Sequence, residues 1–153
     1  MGVSGSGKST IGARLAGRLG FPFLDADDFH PPGNVAKMSA GIPLGDEDRR
    51  PWLELVNSKL KQHKEAVLAC SALKQSYREI LVRDVADPVL VFLKGGIGLI
   101  RSRLEGRKHR YMPATLLESQ FDALEPPTRA IEIDVERSVE DCVAQIEARL
   151  QAR

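Results

Sequence analysis

The sequence predicts an α/β domain with a mostly parallel sheet and helices on both faces, and three observations carry that prediction. Segments with helical periodicity alternate with short apolar runs rich in β-branched residues, no internal repeat breaks the alternation, and a glycine-rich loop opening at Gly2 leads directly into the first helix. At 153 residues the chain lies within the range of one domain, expected to span 1–153.

The first helix is expected from Lys8 to Leu19, where Ile11, Leu15, Ala16 and Leu19 share a face and Gly20 stands where a C-terminal cap belongs. A strand is expected at Phe21 to Asp25. Residues 29–50 open with a Pro- and Gly-rich stretch and read as a segment facing the substrate, with only a short turn of helix around Val35 to Met38. Asp46, Glu47 and Asp48 favour the start of the next helix electrostatically, and its first turn tolerates Pro51, whose missing N–H would have no partner there. That helix runs to about Gln62. A strand at Ala66 to Cys70, a helix at Lys74 to Val82, a strand at Val89 to Leu93 and a helix at Ile97 to Arg107 follow. The basic connection 106–113 reads as a lid. A helix at Thr115 to Leu124 ends before Pro126 and Pro127, and a strand at Ala130 to Asp134 and an amphipathic helix at Val139 to Leu150 close the chain.

Composition removes several classes of function. With 22 basic and 21 acidic side chains the net charge is +1, so no global field draws the chain to nucleic acid or an anionic membrane, and any anion must be held locally. The apolar runs are too short to cross a bilayer and the N-terminus has no export-like pattern, so the cytoplasm is expected. Cys70 and Cys142 lie far apart without C-x-x-C spacing and read as packed, reduced thiols.

Gly2-Val3-Ser4-Gly5-Ser6-Gly7-Lys8-Ser9 satisfies G-x-x-x-x-G-K-[ST] and opens a helix, as the motif requires. Its glycines let successive N–H groups converge on phosphate oxygens, at the positive end of the helix that Lys8 begins. Lys8 is assigned to the β- and γ-phosphates of ATP, Ser9 to Mg²⁺, and Gly2, Ser4, Gly5, Ser6, Gly7 and Thr10 to the nucleotide. This defines a three-layer P-loop fold. No guanine-reading N-K-x-D and no D-x-x-G switch occurs, and neither Ala66–Cys70 nor Val89–Leu93 ends in the acid of a Walker B strand. The acids come instead in Asp25-Ala26-Asp27-Asp28-Phe29-His30, at the strand edge where open α/β sheets bind ligands. In an extended segment Asp25 and Asp27 share a face, so Asp25 is assigned to the metal or its waters and Asp27 to an acceptor hydroxyl. The alternative is an acidic surface turn that caps a helix.

An acidic polyol acceptor needs cations for its carboxylate. Arg49, Lys74 and Arg78, with His30, are the candidates for that role; Lys74 and Arg78 are four apart and expected to face one side of a helix. Arg103 and Arg107 belong to the crowd of basic residues around the lid and are assigned to the nucleotide phosphates. Trp52 reads as a packing residue. A non-catalytic nucleotide-binding protein, and a shikimate-like or nucleotide kinase, remain the alternatives to a sugar-acid kinase.

The order of motifs resembles the gluconokinase family of P-loop kinases. The likeness runs from Gly2–Thr10 through Asp25–Pro31, Lys37-Met38, Gly41–Leu44, Asp48-Arg49 with Pro51-Trp52-Leu53, Cys70-Ser71-Ala72-Leu73-Lys74 with Tyr77-Arg78, to Met112-Pro113, Leu116-Leu117, Ser119-Gln120-Phe121 and Leu124-Glu125-Pro126. It implies phosphorylation of the 6-hydroxyl of D-gluconate by ATP with Mg²⁺, in a cytoplasmic and often homodimeric enzyme. It also implies a five-stranded parallel sheet of order 2-3-1-4-5. Two features depart from the pattern: His109-Arg110-Tyr111 stands where relatives commonly have Gly-His-Phe, so no role passes to Arg110, and the apolar strand preceding the phosphate loop is absent. The second departure leads to the expectation that Met1 is internal to a longer natural product, with about 6 to 12 further residues and a Val/Ile/Leu-rich strand ahead of it.

Overall fold

The structure, a computed structural model, describes residues 1–106 and 114–153. The element order is α1 (Lys8–Leu19), β1 (Phe23–Asp25), a 3-10 turn (Ala26–Phe29), α2 (Pro32–Ser39), α3 (Asp46–Leu60), β2 (Val67–Ala69), α4 (Gln75–Val82), β3 (Val91–Lys94), α5 (Ile97–Glu105), α6 (Ala114–Ala123), β4 (Ile131–Asp134) and α7 (Val139–Gln151). The expected lid falls almost wholly outside the described residues.

All observed strand pairing is parallel. β1 pairs with β2 in the register Phe23–Val67 to Asp25–Ala69, and β3 pairs with β4 from Val91–Ile131 to Lys94–Asp134. The five-stranded order implied by the resemblance therefore appears as two separate pairs. Between them lie Met1 and Gly2, whose backbone reaches both. The Met1 amine donates to Val91 O at 2.6 Å, Leu93 N donates to Met1 O at 2.9 Å, and Gly2 N donates to Ser71 O at 3.3 Å. The entry to the phosphate loop thus sits between the two strand pairs.

Two apolar clusters cover the two faces. One gathers Ile11 and Leu15 of α1, Leu93 and Ile133 of the strands, Ile100, Leu117 and the α7 residues Cys142, Val143 and Ile146. The other joins Trp52, Leu53 and Val56 of α3 to Cys70, Tyr77 and Leu81. This is the three-layer arrangement that the alternating pattern predicts. Both cysteines are buried and unpaired with each other, and burial pushes the Cys70 thiol up to about 12.

A buried amide ties the second cluster together. Asn57 is 5% exposed and its Nδ2 donates to Leu81 O at 2.8 Å and Arg83 O at 3.0 Å, satisfying carbonyls that α4 leaves open at its C-terminus. Asn57→Leu strands those acceptors, so we expect it to cost about 1 to 3 kcal/mol and to lower the melting temperature by roughly 2 to 12 °C with kcat unchanged. Thermal unfolding followed by circular dichroism checks this.

Candidate active site

The phosphate loop owes its shape to two glycines. Gly5 has φ +82° and Gly7 has φ +92°, left-handed conformations that a side chain would strain, and Gly7 directly caps α1. Its carbonyl accepts from Ile11 N at 2.8 Å, so the loop ends as the helix begins. Ser6 is fully buried, and its hydroxyl has no protein partner among the described residues. Lys8 Nζ donates to Val3 O at 3.0 Å. Desolvation pulls its pKa below the usual lysine value, while Asp27, Cys70 and Asp25 pull it back up. Both carboxylates are therefore electrostatic neighbours of the ammonium.

The far side of the loop is gripped by α6. Ser4 N donates to Gln120 Oε1 at 2.8 Å, and Gln120 Nε2 donates to Ser4 Oγ at 3.2 Å. Beside the loop opens a cleft of ≈ 450 Å³, lined among others by Ser6, Thr10, Arg103 and Val139. Arg103 donates from Nη2 to the Val135 carbonyl. Arg107, expected beside it, lies outside the described residues.

Asp25 ends β1 and serves two neighbours. Its Oδ2 accepts from Ser9 Oγ at 2.5 Å and its Oδ1 accepts from Asp27 N at 3.0 Å, capping the 3-10 turn. The expectation that Asp25 and Asp27 share a face of one extended segment is corrected here. The strand stops at Asp25, Asp27 belongs to the turn, and the strand alternation no longer applies. Asp25 is thus both an acidic cap and the partner of Ser9. Ser9 and Asp25 form a pair of hard oxygen donors at the helix N-terminus. Such a pair suits Mg²⁺, which takes one or two protein oxygens and fills its shell with phosphate and water. Among the described residues, no group of three His, Cys, Asp or Glu could hold a metal unaided.

Next to Asp27, His30 lies flat on Trp52 with ring centroids 4.0 Å apart and planes 16° off parallel. Trp52 is 2% exposed and donates Nε1–H to Ala26 O at 2.7 Å, which confirms it as a packing residue. Desolvation lowers the His30 pKa, assisted by Arg49 and opposed by Asp27.

A cationic cluster forms where α3 meets α4. The Tyr77 ring has Arg49 Cζ at 5.4 Å and Lys74 Nζ at 5.5 Å from its centroid. Asp46 accepts from Lys74 Nζ at 3.0 Å and from the Tyr77 hydroxyl, and the Tyr77 hydrogen bond, followed by Lys74, holds its carboxyl below the usual range. Arg49 donates to the Leu44 carbonyl. Arg78 is not part of this cluster. It is buried, and its Nη1 donates to Ala72 O at 2.9 Å and Leu73 O at 3.1 Å. The expected shared face of Lys74 and Arg78 fails because the two side chains part: Lys74, the extended N-cap of α4, reaches Asp46, while Arg78 turns inward onto the Ala72 and Leu73 carbonyls.

Known proteins agree with this layout. The Shikimate kinase family model matches residues 4–130. The thermosensitive gluconokinase of Escherichia coli K12 is 46% identical over 141 residues, covering 90% of this chain and 75% of that protein. The gluconokinase of Gluconobacter oxydans 621H is 48% identical over 131 residues, covering 83% of this chain and 74% of that protein. This chain belongs to the gluconokinase family. The crystal structure of a gluconokinase from Sinorhizobium meliloti 1021 superposes with a TM-score of 0.92 at 40% identity, over 99% of this chain and 89% of that one, and fixes the P-loop kinase fold.

Within a gluconokinase-family chain the residues that sequence reasoning missed become visible as connectors. Tyr77 and Asp46 organise Arg49 and Lys74, Gln120 holds Ser4, and buried Asn34 joins His30 to the start of α3. Tyr77 and Gln120 lie inside the motif runs Tyr77-Arg78 and Ser119-Gln120-Phe121, but nothing in their spacing announces what they touch. Among the described residues, no helix is long and apolar enough to cross a membrane.

Proposed function

We propose that this chain transfers the γ-phosphoryl group of ATP to the 6-hydroxyl of D-gluconate, giving 6-phospho-D-gluconate and ADP, in the cytoplasm. The observation that carries the reading is the cluster at Tyr77, where Arg49 and Lys74 together exceed the charge of Asp46 by one and so leave a net positive site suited to the carboxylate of a sugar acid. The shared name of the relatives supplies the acceptor that such a site fits.

The chemistry asks for alignment more than for a strong base, because the transition state for phosphoryl transfer is loose. Asp27 orients the 6-hydroxyl and takes its proton late. The bond from that oxygen to γ-phosphorus forms as the bond to the β,γ-bridging oxygen breaks, and ADP leaves with the electron pair. Lys8 meets the β- and γ-oxygens and Arg103 adds charge from the cleft side, while loop N–H groups cradle the phosphates. Mg²⁺, held by Ser9 and Asp25, would neutralise phosphate charge when bound. Arg49 and Lys74 bind the acid end of gluconate.

A coupled ADP-release assay across gluconate, shikimate, nucleoside monophosphates and no acceptor tests the reading. Turnover with gluconate alone supports it, preference for another acceptor replaces it with a related kinase, and ATP binding without any turnover points to a non-catalytic protein. Arg49→Ala and Lys74→Ala are each expected to raise KM for gluconate roughly 10- to 150-fold, the equivalent of about 1.5 to 3 kcal/mol, with KM for ATP little changed. Native gluconate KM in both variants would place the acid elsewhere.

A further inference from the structure

The orientation of one buried amide determines where a histidine proton sits. Asn34 of α2 is 5% exposed, and its Nδ2 lies 3.0 Å from the carbonyl oxygen of Asp48. A main-chain carbonyl only accepts, so the amide presents its NH₂ group there. The same nitrogen lies 3.2 Å from His30 Nδ1. An amide nitrogen offers no lone pair, so Nδ1 is the acceptor and carries no proton. In the neutral ring the proton is then on Nε2, which lies 3.8 Å from Asp27 Oδ1, beyond direct hydrogen-bond distance, so that a small turn of the exposed carboxylate brings it within reach of the donor.

The ring is also held in place. Its side chain is 4% exposed, stacked on a Trp52 that is itself bonded to Ala26 O, whereas the Asp27 side chain is 56% exposed. A rigid donor therefore stands beside a carboxylate that has little else to fix it. We propose that His30 is a positioning residue: its Nε2–H, with the tautomer set by Asn34 and the Asp48 main chain, holds the Asp27 carboxylate toward the acceptor hydroxyl. This rests on the reading of Asp27 given above. It differs from a direct contact between His30 and gluconate, because the imidazole acts through Asp27. Burial and Arg49 lower the proton affinity of the ring against the pull of Asp27, which favours the neutral form the arrangement requires. It also accounts for the one buried residue of α2 being the polar Asn34.

Two measurements on the full chain decide the matter. Long-range ¹H–¹⁵N spectra of histidine-labelled protein, assigned with His30→Gln, are expected to show His30 protonated at Nε2 and bare at Nδ1. A proton on Nδ1, or an averaged mixture of tautomers, overturns the proposal, and this result needs no variant to be stable. In kinetics, His30→Phe keeps a flat ring on Trp52 but has no donor, and kcat is expected to fall roughly 10- to 100-fold with both KM values within about twofold. His30→Gln, whose amide can bring an N–H near the Nε2 position, is expected to recover most of that loss. Asp27→Asn/His30→Phe should be no slower than Asp27→Asn alone, as for two residues acting as one unit. Raised gluconate KM at native kcat, or additive losses in the double variant, overturns the proposal and makes His30 a substrate contact. The parent reading fails separately: near-native turnover of Asp27→Asn removes Asp27 from the mechanism, whereas a slow Asp27→Asn beside a native-like His30→Phe defeats only the inference drawn here.

Discussion

Replacing Asp27 by Asn is expected to lower kcat by about 100-fold or more while leaving the affinity for ATP almost unchanged. The substitution is nearly isosteric, and the Asp27 side chain is more than half exposed, so the fold loses nothing that depends on its charge. What changes is the electrostatics at one point. The carboxylate lies near the Lys8 ammonium and faces the His30 ring. An amide at that point can still hold a hydroxyl but cannot receive its proton, and the transition state loses stabilisation that the ground state never had. Single-turnover and steady-state kinetics with saturating gluconate separate the two effects. Near-native turnover would assign the proton to another group, and a large rise in KM for ATP would show that Asp27 acts on the nucleotide.

How far such residues were legible in the sequence depended on the kind of force that positions them. The helix Lys8–Leu19 was readable to the residue, because an apolar face and a glycine cap are local signals, and Gly20 does adopt φ +70° with its N–H on Ala16 O. The segment 32–39 was not. It forms a full helix, longer than the turn expected, yet its only buried residue is Asn34, so no apolar period marked it. The available signal was Pro32 at the first helical position, which its fixed φ favours. The strand before Asp27 ends where expected, at Asp25, but starts at Phe23 rather than Phe21, because the Phe21 N–H closes the end of α1 on Ala16 O and Pro22 has no N–H to give a ladder. The cationic cluster shows the same limit more sharply. Asp46 and Tyr77 are 31 residues apart and meet only because α3 packs against α4, so their pairing belongs to tertiary structure and leaves no periodic trace. Arg78 and Lys74 were both recognised as basic, but the difference between a charge turned inward onto carbonyls and one turned outward to Asp46 arises at the helix start.

Lys8→Met should separate function from stability in opposite directions. The ammonium is desolvated, which lowers its pKa, and its hydrogen bond is to the carbonyl of Val3 within the same loop. Holding a charge in such a place costs free energy that one carbonyl and two nearby carboxylates only partly offset. Methionine keeps the unbranched stem and removes the charge, so the ligand-free protein is expected to melt at the same temperature as the parent or somewhat higher. Binding tells the other half. A phosphate chain brings the opposite charge that the site lacks, and losing a charge-assisted partner for it costs about 1.5 to 3 kcal/mol, or roughly 10- to 150-fold in ATP affinity. The transferring phosphoryl group carries its charge at the same place, so kcat should fall by a further factor on the order of 100 to 1,000. Because a ligand raises the melting temperature in proportion to the logarithm of its concentration over Kd, the ATP-induced shift should shrink or vanish in Lys8→Met even as the ligand-free melting point holds. Thermal melts with and without ATP, together with calorimetric titration, read both quantities on one sample. A variant that melts lower without ligand yet keeps the full ATP shift would mean that Lys8 supports the fold and that the phosphates are bound by other groups.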